Sequence, residues 1–343
     1  MKAAILVEQK KPLVIADIEH GELGYGQVLV KVICSGLCGS QLGEIDGVKG
    51  VDKFLPHLLG HEGGGIVIET GPGVTRVKKA NRVVLHWRKG LGIESPTPRY
   101  DWQGKLVGAG WVTTFNEYAV VSENRLTPIP QDVDFEIAAL LGCALTTGFG
   151  VVNNNAQLKL GESIVIFGSG GVGLSIVQGA SLVSAYPIIA VDIHEHKLQL
   201  AKKFGATHTI NAKTNNVKKE IFGIVGEKGT DVSVETTGCV EVIEQAYEVT
   251  ASTGKTILVG VPPVNKKISI YSLPLHFDKV LTGSYGGEVN PSQDIPRYIN
   301  LYRLKRFNPK AMISHYFYLD EINIAIAAMR KGELVRGIIK LEK

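Results

Sequence analysis

The sequence predicts an α/β protein in which an irregular β-rich domain is interrupted by a doubly wound parallel sheet. Up to about residue 145, short β-like runs alternate with turns: LVIADI, QVLVKVICSG, GGGIVIETGPGV, NRVVLHW and NEYAVVSENRLTPIP. This is the pattern of mostly antiparallel strands. From about residue 146 the rhythm becomes strand, helix, strand: SIVIFG, VGLSIVQGASLV, PIIAVD, HKLQLAKKFG, HTIN, then DVSVETTG and KTILVGVP. Such alternation marks a parallel sheet covered by helices. Near residue 286 it ends, and a helical segment with a final strand, GIIKLEK, closes the chain. The expected domains are therefore 1–145 with 287–343 for the β-rich part and 146–286 for the parallel sheet.

At 343 residues the chain is too long for one ordinary core, since single domains usually run about 100–200 residues. Apolar residues at 44% and charged residues at 20% describe a globular chain, neither disordered nor fibrous. The net charge of +4 comes from 37 basic and 33 acidic residues spread along the sequence. That argues against the basic footprint of a nucleic-acid or membrane-surface binder. MKAAILVEQKK is too short in apolar residues for a secretory core, and the protein is expected to be cytoplasmic. Ser163 to Val191 is uncharged but carries five glycines and a proline, so a buried strand, helix and strand explain it better than a membrane span. The four cysteines, at 34, 38, 143 and 239, form no CxxC pair, so neither a disulfide framework nor a zinc ribbon is signalled.

The strand ending at Phe167 runs into GSGGVG, with Gly168, Gly170 and Gly173 at G-x-G-x-x-G spacing and Gly171 and Val172 opening a helix. Asp192 closes the next strand about 20 residues on, the interval of a dinucleotide site. The glycines permit a tight turn and close approach to a pyrophosphate, and the helix N-terminus offers unpaired N–H groups. Asp192 can accept from a ribose 2′-hydroxyl and would repel a 2′-phosphate, which favours NAD over NADP. The alternative is a glycine turn that merely packs a helix on a sheet.

Residues 60–67 read GHEGGGIV, a His and a Glu set among glycines before an apolar strand. Glycine there marks a sharp bend or a close approach. With Cys38 in SGLCGS and Cys143 in LLGCALTTG, His61 completes a two-thiolate, one-imidazole set of the kind that holds catalytic zinc with a fourth position open. Two packed cysteines and a satisfied histidine would carry the same spacing.

In order along the chain, CGS, GHEGGGIVIETGPGV, LLGCALTTGFG, GSGGVG, AVDIHEHKLQLAKKFGA and ILVGV resemble the zinc-dependent alcohol dehydrogenases of the medium-chain dehydrogenase/reductase superfamily, over essentially the whole length. The resemblance implies a GroES-like catalytic domain and a Rossmann NAD-binding domain, with the site in the cleft at the carboxyl ends of the parallel strands. It implies zinc on Cys38, His61 and Cys143, with Glu62 as a carboxylate that enters or leaves the coordination sphere. Zinc eases loss of the alcohol proton, and hydride passes to the nicotinamide. Ser40 matches the hydroxyl that passes the alcohol proton toward solvent, although it can equally be a turn former. Further NAD contacts are implied at Thr147, Val172, Lys197, Val259, Gly260, Val261, Tyr285 and Arg336. Trp87 falls where the family walls its substrate pocket, or is a core indole. A homodimer or homotetramer is implied as well.

The family pattern breaks at four places. HWRKGLGIESPTPRYDWQGKLVGAGW has no cysteine where many members carry a structural-zinc lobe, so one zinc per chain is expected and no structural zinc. Gln41 replaces an aspartate that orients the zinc histidine; a glutamine can accept from the imidazole N–H, but without charge. Gly43 replaces a histidine that ends the proton relay in some members, which leaves the terminal acceptor open. Gly39 replaces a pyrophosphate-binding arginine, leaving more to the helix dipole and Arg336.

Trp87, Arg88, Lys89, Trp102 and Trp111 on the replaced lobe suggest a basic, aromatic pocket wall suited to an acidic or phosphorylated polyol, or else a solvated loop. Cys34 and Cys239 read as core residues, and His57, His86, His194 and His196 as loop residues, with His86 able to edge the pocket. The expected activity is reversible hydride transfer between NAD and an alcohol, with a polar polyol or sugar derivative as substrate. The alternatives are a zinc-free quinone or enone reductase of the same superfamily and an inactive nucleotide-binding protein.

Overall fold

The structure, a computed structural model, describes residues 1–342. It divides into two compact units: Met1–Thr146 with Asn290–Leu304 and the chain from Pro309 onward, and Thr147–Val289 with Lys305–Asn308. The expected boundaries at 145/146 and 286/287 lie one and three residues from these divisions, and the return of 305–308 to the second unit carries no sequence signal.

The first unit contains β1 (Lys2–Leu6), β2 (Val14–Asp17), β3 (Glu19–His20), β4 (Gln27–Leu37), α1 (Gly39–Ile45), β5 (His57–Leu58), β6 (Glu62–Thr70), β7 (Arg82–His86), β8 (Arg99–Trp102), β9 (Lys105–Gly108), β10 (Tyr118–Ser122), β11 (Leu126–Pro128) and α2 (Phe135–Leu141). α3 (Ala144–Gly150) crosses the division between the units. One sheet runs β2-β1-β5-β9-β8-β3. The alternation along β4 sends Val28, Val30 and Val32 into one core cluster and Leu29 into another that lies with Ala3, Ile5 and Tyr100, as period-two side chains must.

The second unit continues with β12 (Ile164–Phe167), α4 (Gly171–Leu182), β13 (Ile188–Asp192), α5 (Glu195–Lys203), β14 (His208–Asn211), α6 (Val217–Val225), β15 (Thr230–Glu235), α7 (Val240–Val249), β16 (Thr250–Leu258) and β17 (Val280–Gly283). Its six strands are all parallel, in the order β14-β13-β12-β15-β16-β17. Counted within the unit this is 3-2-1-4-5-6, the Rossmann order, and the reversal between β12 and β15 is where dinucleotides bind. Val165, Phe167, Ile189, Val191 and Ile210 form its core with α6 and α7. The uncharged run from Ser163 resolves into β12, the buried α4 and β13. Among the described residues no single helix is long and apolar enough to cross a membrane.

The chain then adds α8 (Pro291–Arg303), β18 (Ile313–Tyr318), α9 (Ile322–Arg330) and β19 (Arg336–Lys340) to the first unit. This closing segment holds two helices and two strands where one of each is expected; β18 has four exposed and two half-buried residues and none buried, so it carries no apolar alternation. β19 pairs antiparallel with the second half of β4, opposite β6, while β10 pairs with the first half. The second sheet is therefore β11-β7-β6-β4-β19-β18 with β10 added on β4.

The glycines of β6 let α2 lie directly on the strand. A methyl on Gly64 would sit 2.6 Å from the Phe135 carbonyl oxygen and 2.9 Å from the Ala138 Cβ. Both belong to a packed helix start and neither can swing aside. Gly64→Ala is expected to lower stability by about 2–3 kcal/mol through overpacking, measured by urea unfolding. Gly223→Ala, exposed within α6 with open space around its Cβ, should raise stability by about 0.5–1 kcal/mol; equal effects at the two sites would refute the close-approach reading.

Candidate metal and dinucleotide sites

In the first unit, three adjacent strands of one sheet, β6, β4 and β19, bring their ends together. Cys38 follows the last residue of β4 and precedes α1; His61 precedes β6, which Glu62 begins; Arg336 begins β19, one residue from the Gly337–Leu37 pair. Cys143 lies between α2 and α3. Gly142 makes that placement possible, because a methyl there would lie 2.5 Å from the Leu85 carbonyl oxygen and 2.8 Å from the Glu62 Cα. Gly60, at φ +88°, turns the chain into His61, and a methyl there would meet Thr114 Oγ1 at 2.4 Å.

The ligand atoms of Cys38, His61 and Cys143 lie within 4.8 Å of one another. Ligands of a tetrahedral zinc at about 2.0–2.3 Å stand roughly 3.5–4 Å apart, so the set closes on such an ion with small side-chain movement. Both cysteines are buried and His61 is half-buried, which leaves an approach on the imidazole side. A hydrogen bond from Cys143 holds the Cys38 thiol well below the usual range, aided by His61 and against burial. The same bond, with burial, pushes Cys143 well up. Burial pulls His61 down, but the neighbouring Cys38 and Glu62 more than offset it, so it moves up.

Glu62 is fully buried and accepts from Arg336 Nη2, itself 2% exposed. Burial pushes the Glu62 carboxyl up, opposed by the guanidinium. Burial pulls Arg336 down, but Glu62 and both cysteines hold it above its ordinary value, so it stays charged. A methyl on Gly36 would lie 2.6 Å from Glu62 Oε1, so that glycine gives the carboxylate its room.

Gln41 is 2% exposed. Its Oε1 accepts the Gly60 N–H at 2.5 Å, and its Nε2 therefore faces His61 Nδ1 at 2.8 Å. The expected acceptor role is corrected: the Gly60 amide, which only donates, claims the oxygen, and the imidazole meets a donor. Ser40 is exposed on α1, and Glu44, half-buried one turn later, has its carboxyl pushed up by burial. Sequence reading passed over Glu44 because it placed no helix after Cys38; its signal was the four-residue spacing from Ser40.

In the second unit the glycine loop leaves β12 as a cradle that side chains would fill. Gly168 has φ +95°, and a methyl on Gly173 would lie 1.8 Å from the Gly168 carbonyl oxygen, whereas Gly170 faces open space at the start of α4. Asp192 ends β13 and accepts from the Ser169 and His194 N–H groups at 2.7 and 2.8 Å. Gly171 and Val172 open α4, and Lys197 is half-buried on α5. Val259, Gly260 and the exposed Val261 follow β16, with the Val259 and Gly260 N–H groups on the Glu235 carbonyl at 2.8 and 3.0 Å. Tyr285 is exposed just past β17, and Thr147 is buried on α3. These residues follow the carboxyl ends of the parallel strands, apart from Thr147.

Several expectations are corrected. Cys239 is exposed, not core, because it precedes α7 in the turn after β15; Cys34 is buried on β4. His86 is no loop residue: it is fully buried on β7, donating from Nδ1 to the Arg88 carbonyl at 2.7 Å and accepting at Nε2 from Thr127 at 2.9 Å. His57 lies on β5 and contacts Asp52 at 2.7 Å, and His196 lies on α5. On the cysteine-free lobe, Glu94 binds both Lys89 and Arg125 at 2.6 Å, and Trp102 packs against a core cluster. Lys89 is thus neutralised within the loop itself, which weakens the basic pocket wall. Trp87 is half-buried with the Arg88 guanidinium 5.8 Å from its ring.

Residues 171–303 match the zinc-binding dehydrogenase family and residues 24–131 the alcohol dehydrogenase GroES-like domain. The chain is 31% identical to an S-(hydroxymethyl)glutathione dehydrogenase of Paracoccus denitrificans, across 98% of this chain and 99% of the relative. It is 32% identical to an alcohol dehydrogenase of Malus domestica, across 100% and 97%. Among solved structures, the benzyl alcohol dehydrogenase of Acinetobacter calcoaceticus superposes with a TM-score of 0.90 at 30% identity, covering 99% of both chains.

Burial lowers the pKa of His86 from 6.5 to about 4. Between those values the unfolded chain binds the proton and the folded one does not, so stability is complete above about pH 6.5 and is lost as pH falls toward 4, by about 3 kcal/mol. The neutral His86→Gln variant should show a correspondingly shallower loss of unfolding free energy between pH 7 and pH 4.5; an unchanged slope would contradict the buried neutral imidazole.

Proposed function

We propose that this chain, which belongs to the zinc-dependent alcohol dehydrogenases of the medium-chain dehydrogenase/reductase superfamily, is an NAD-dependent oxidoreductase with one catalytic zinc and no structural zinc, acting on a polar polyol or sugar-derived alcohol. The convergence of Cys38, His61 and Cys143 from three separate turns is the observation that carries the reading. When bound, zinc supplies Lewis acidity and the nicotinamide a hydride acceptor.

The chain's own residues do the rest. Cys38, His61 and Cys143 hold the metal, and the buried Arg336 keeps the charge of Glu62 balanced beneath them. Glu62, now bound to Arg336, would be the carboxylate that enters or leaves the metal's coordination sphere. Ser40, exposed at the start of α1, takes the proton that leaves the substrate hydroxyl. Gly168, Gly170, Gly171, Val172 and Gly173 cradle the pyrophosphate at the N-terminus of α4, and Asp192 binds the adenosine ribose. Thr147, Lys197, Val259, Gly260, Val261 and Tyr285 complete the cofactor contacts, and Trp87 lines the substrate pocket. Arg336 is the proposed pyrophosphate arginine as well; its Nε has no hydrogen-bond partner among the described residues.

The protein is proposed to be a cytoplasmic homodimer or homotetramer. The exposed Tyr271, Leu273, Leu275, Phe277 and Val280, on and just before the edge strand β17, support self-association, since an uncovered apolar sheet edge invites pairing. Free cysteines throughout the chain suit a reducing compartment.

Elemental analysis should find about one zinc per chain in the native protein, and Cys143→Ser should lose both the metal and NADH formation over a panel of alcohols and polyols. Two zincs would overturn the single-site reading. No zinc, with reduction of quinones or enones, would identify a zinc-free reductase, and tight NADH binding with full zinc but no turnover would identify an inactive binder.

A further inference from the structure

We propose that the Glu44 carboxylate is the terminal proton acceptor of the relay that Ser40 begins. The inference rests on the alcohol dehydrogenase reading and fills the place that Gly43, which has no side chain, leaves open. α1 spans Gly39–Ile45, so Ser40 and Glu44 stand one turn apart on the same helix face, with Cβ atoms about 5–6 Å apart. No direct hydrogen bond joins the two side chains, and one water is enough to bridge a gap of that size. Ser40 is exposed and Glu44 half-buried, so the pair runs from solvent-accessible hydroxyl to a partly shielded acceptor.

The carboxylate is free to take a proton: among the described residues its neighbours act on it through burial and charge alone, with no hydrogen bond to it. The charges around it are also defined. Burial and the nearby Cys38 favour its protonated form, while His61, Lys49 and His57 favour the carboxylate, and burial prevails. His57 is engaged by Asp52 at 2.7 Å. Arg330 of α9, the helix packed on α1, is engaged by Asp46 at 2.5 Å. An acceptor raised toward neutrality matches proton transfer at physiological pH better than an ordinary carboxylate.

The transfer balances. Ser40 Oγ accepts the substrate hydroxyl proton and gives its own to a Glu44 carboxylate oxygen, so Ser40 ends unchanged and Glu44 neutral. Hydride leaves for NAD, and Glu44 returns its proton to water. Carbonyl reduction runs the same path in reverse.

The test uses full-length zinc-loaded protein, with Glu44→Gln and Glu44→Ala compared with the native chain on the best alcohol of the panel between pH 6 and 10. At pH 7, kcat/KM for oxidation should fall about 100-fold, with zinc content and NADH affinity unchanged. The deficit should shrink as pH rises and hydroxide replaces the acceptor, and added imidazole should restore part of the rate to Glu44→Ala. Independently of turnover, a carboxyl resonance in protein carrying ¹³C-glutamate, absent from Glu44→Gln, should titrate above the ordinary glutamate range. Variants within twofold of native at every pH would overturn the inference, as would a uniform loss without pH dependence or rescue. A native protein that holds zinc but oxidises no alcohol would instead overturn the reading on which the inference rests.

Discussion

The metal-ligand cluster depends on missing Cβ atoms. α2 can deliver Cys143 to Cys38 and His61 only if it lies on the backbone of β6, and Gly64 and Gly142 occupy the two points where a methyl would strike a carbonyl oxygen, that of Phe135 or of Leu85. Gly36 clears the volume that the Glu62 carboxylate fills, and Gly60 makes the turn that exposes His61. The glycine run around His61 is thus a packing requirement as well as a turn. Entropy lost at these glycines is offset by the helix-on-sheet burial that they permit.

The second constraint is charge. Two cysteines and a glutamate converge in a buried space, and an unpaired carboxylate there would be costly. Arg336 answers this from β19, a strand that reaches the cluster only because the chain returns to the first unit after the parallel sheet. The buried pair therefore ties the last strand to the first third of the sequence. Gln41, held by the Gly60 N–H, orients His61 without adding charge, which leaves the balance to Arg336 and the ligands themselves.

Much of this was legible in the sequence, for identifiable reasons. The parallel sheet announced itself because β12, β13, β15 and β16 are apolar runs separated by helices, and GSGGVG fixed where the chain turns. Cys38, His61 and Cys143 stood out as residue types, but their convergence depends on contacts between distant segments, which spacing does not encode. β8, β9 and β18 were missed because their short, half-exposed strands carry little apolar alternation. Cys239 and His86 were misplaced for opposite reasons: a cysteine in a helix-leading turn is exposed, and a histidine with both ring nitrogens satisfied is at home in a strand core. The orientation of the Gln41 amide was beyond sequence, since it is set by one backbone N–H of a neighbouring turn. Glu44 was hidden because α1 is a short helix with no apolar period.

X-ray absorption at the zinc edge of the purified protein tests the central claim most directly. The account predicts a shell of two sulfur ligands at about 2.3 Å and one or two nitrogen or oxygen ligands at about 2.0–2.1 Å, collapsing when Cys38 is replaced by serine. A shell of four sulfurs, a shell of nitrogen and oxygen alone, or an unchanged spectrum in that variant would contradict it.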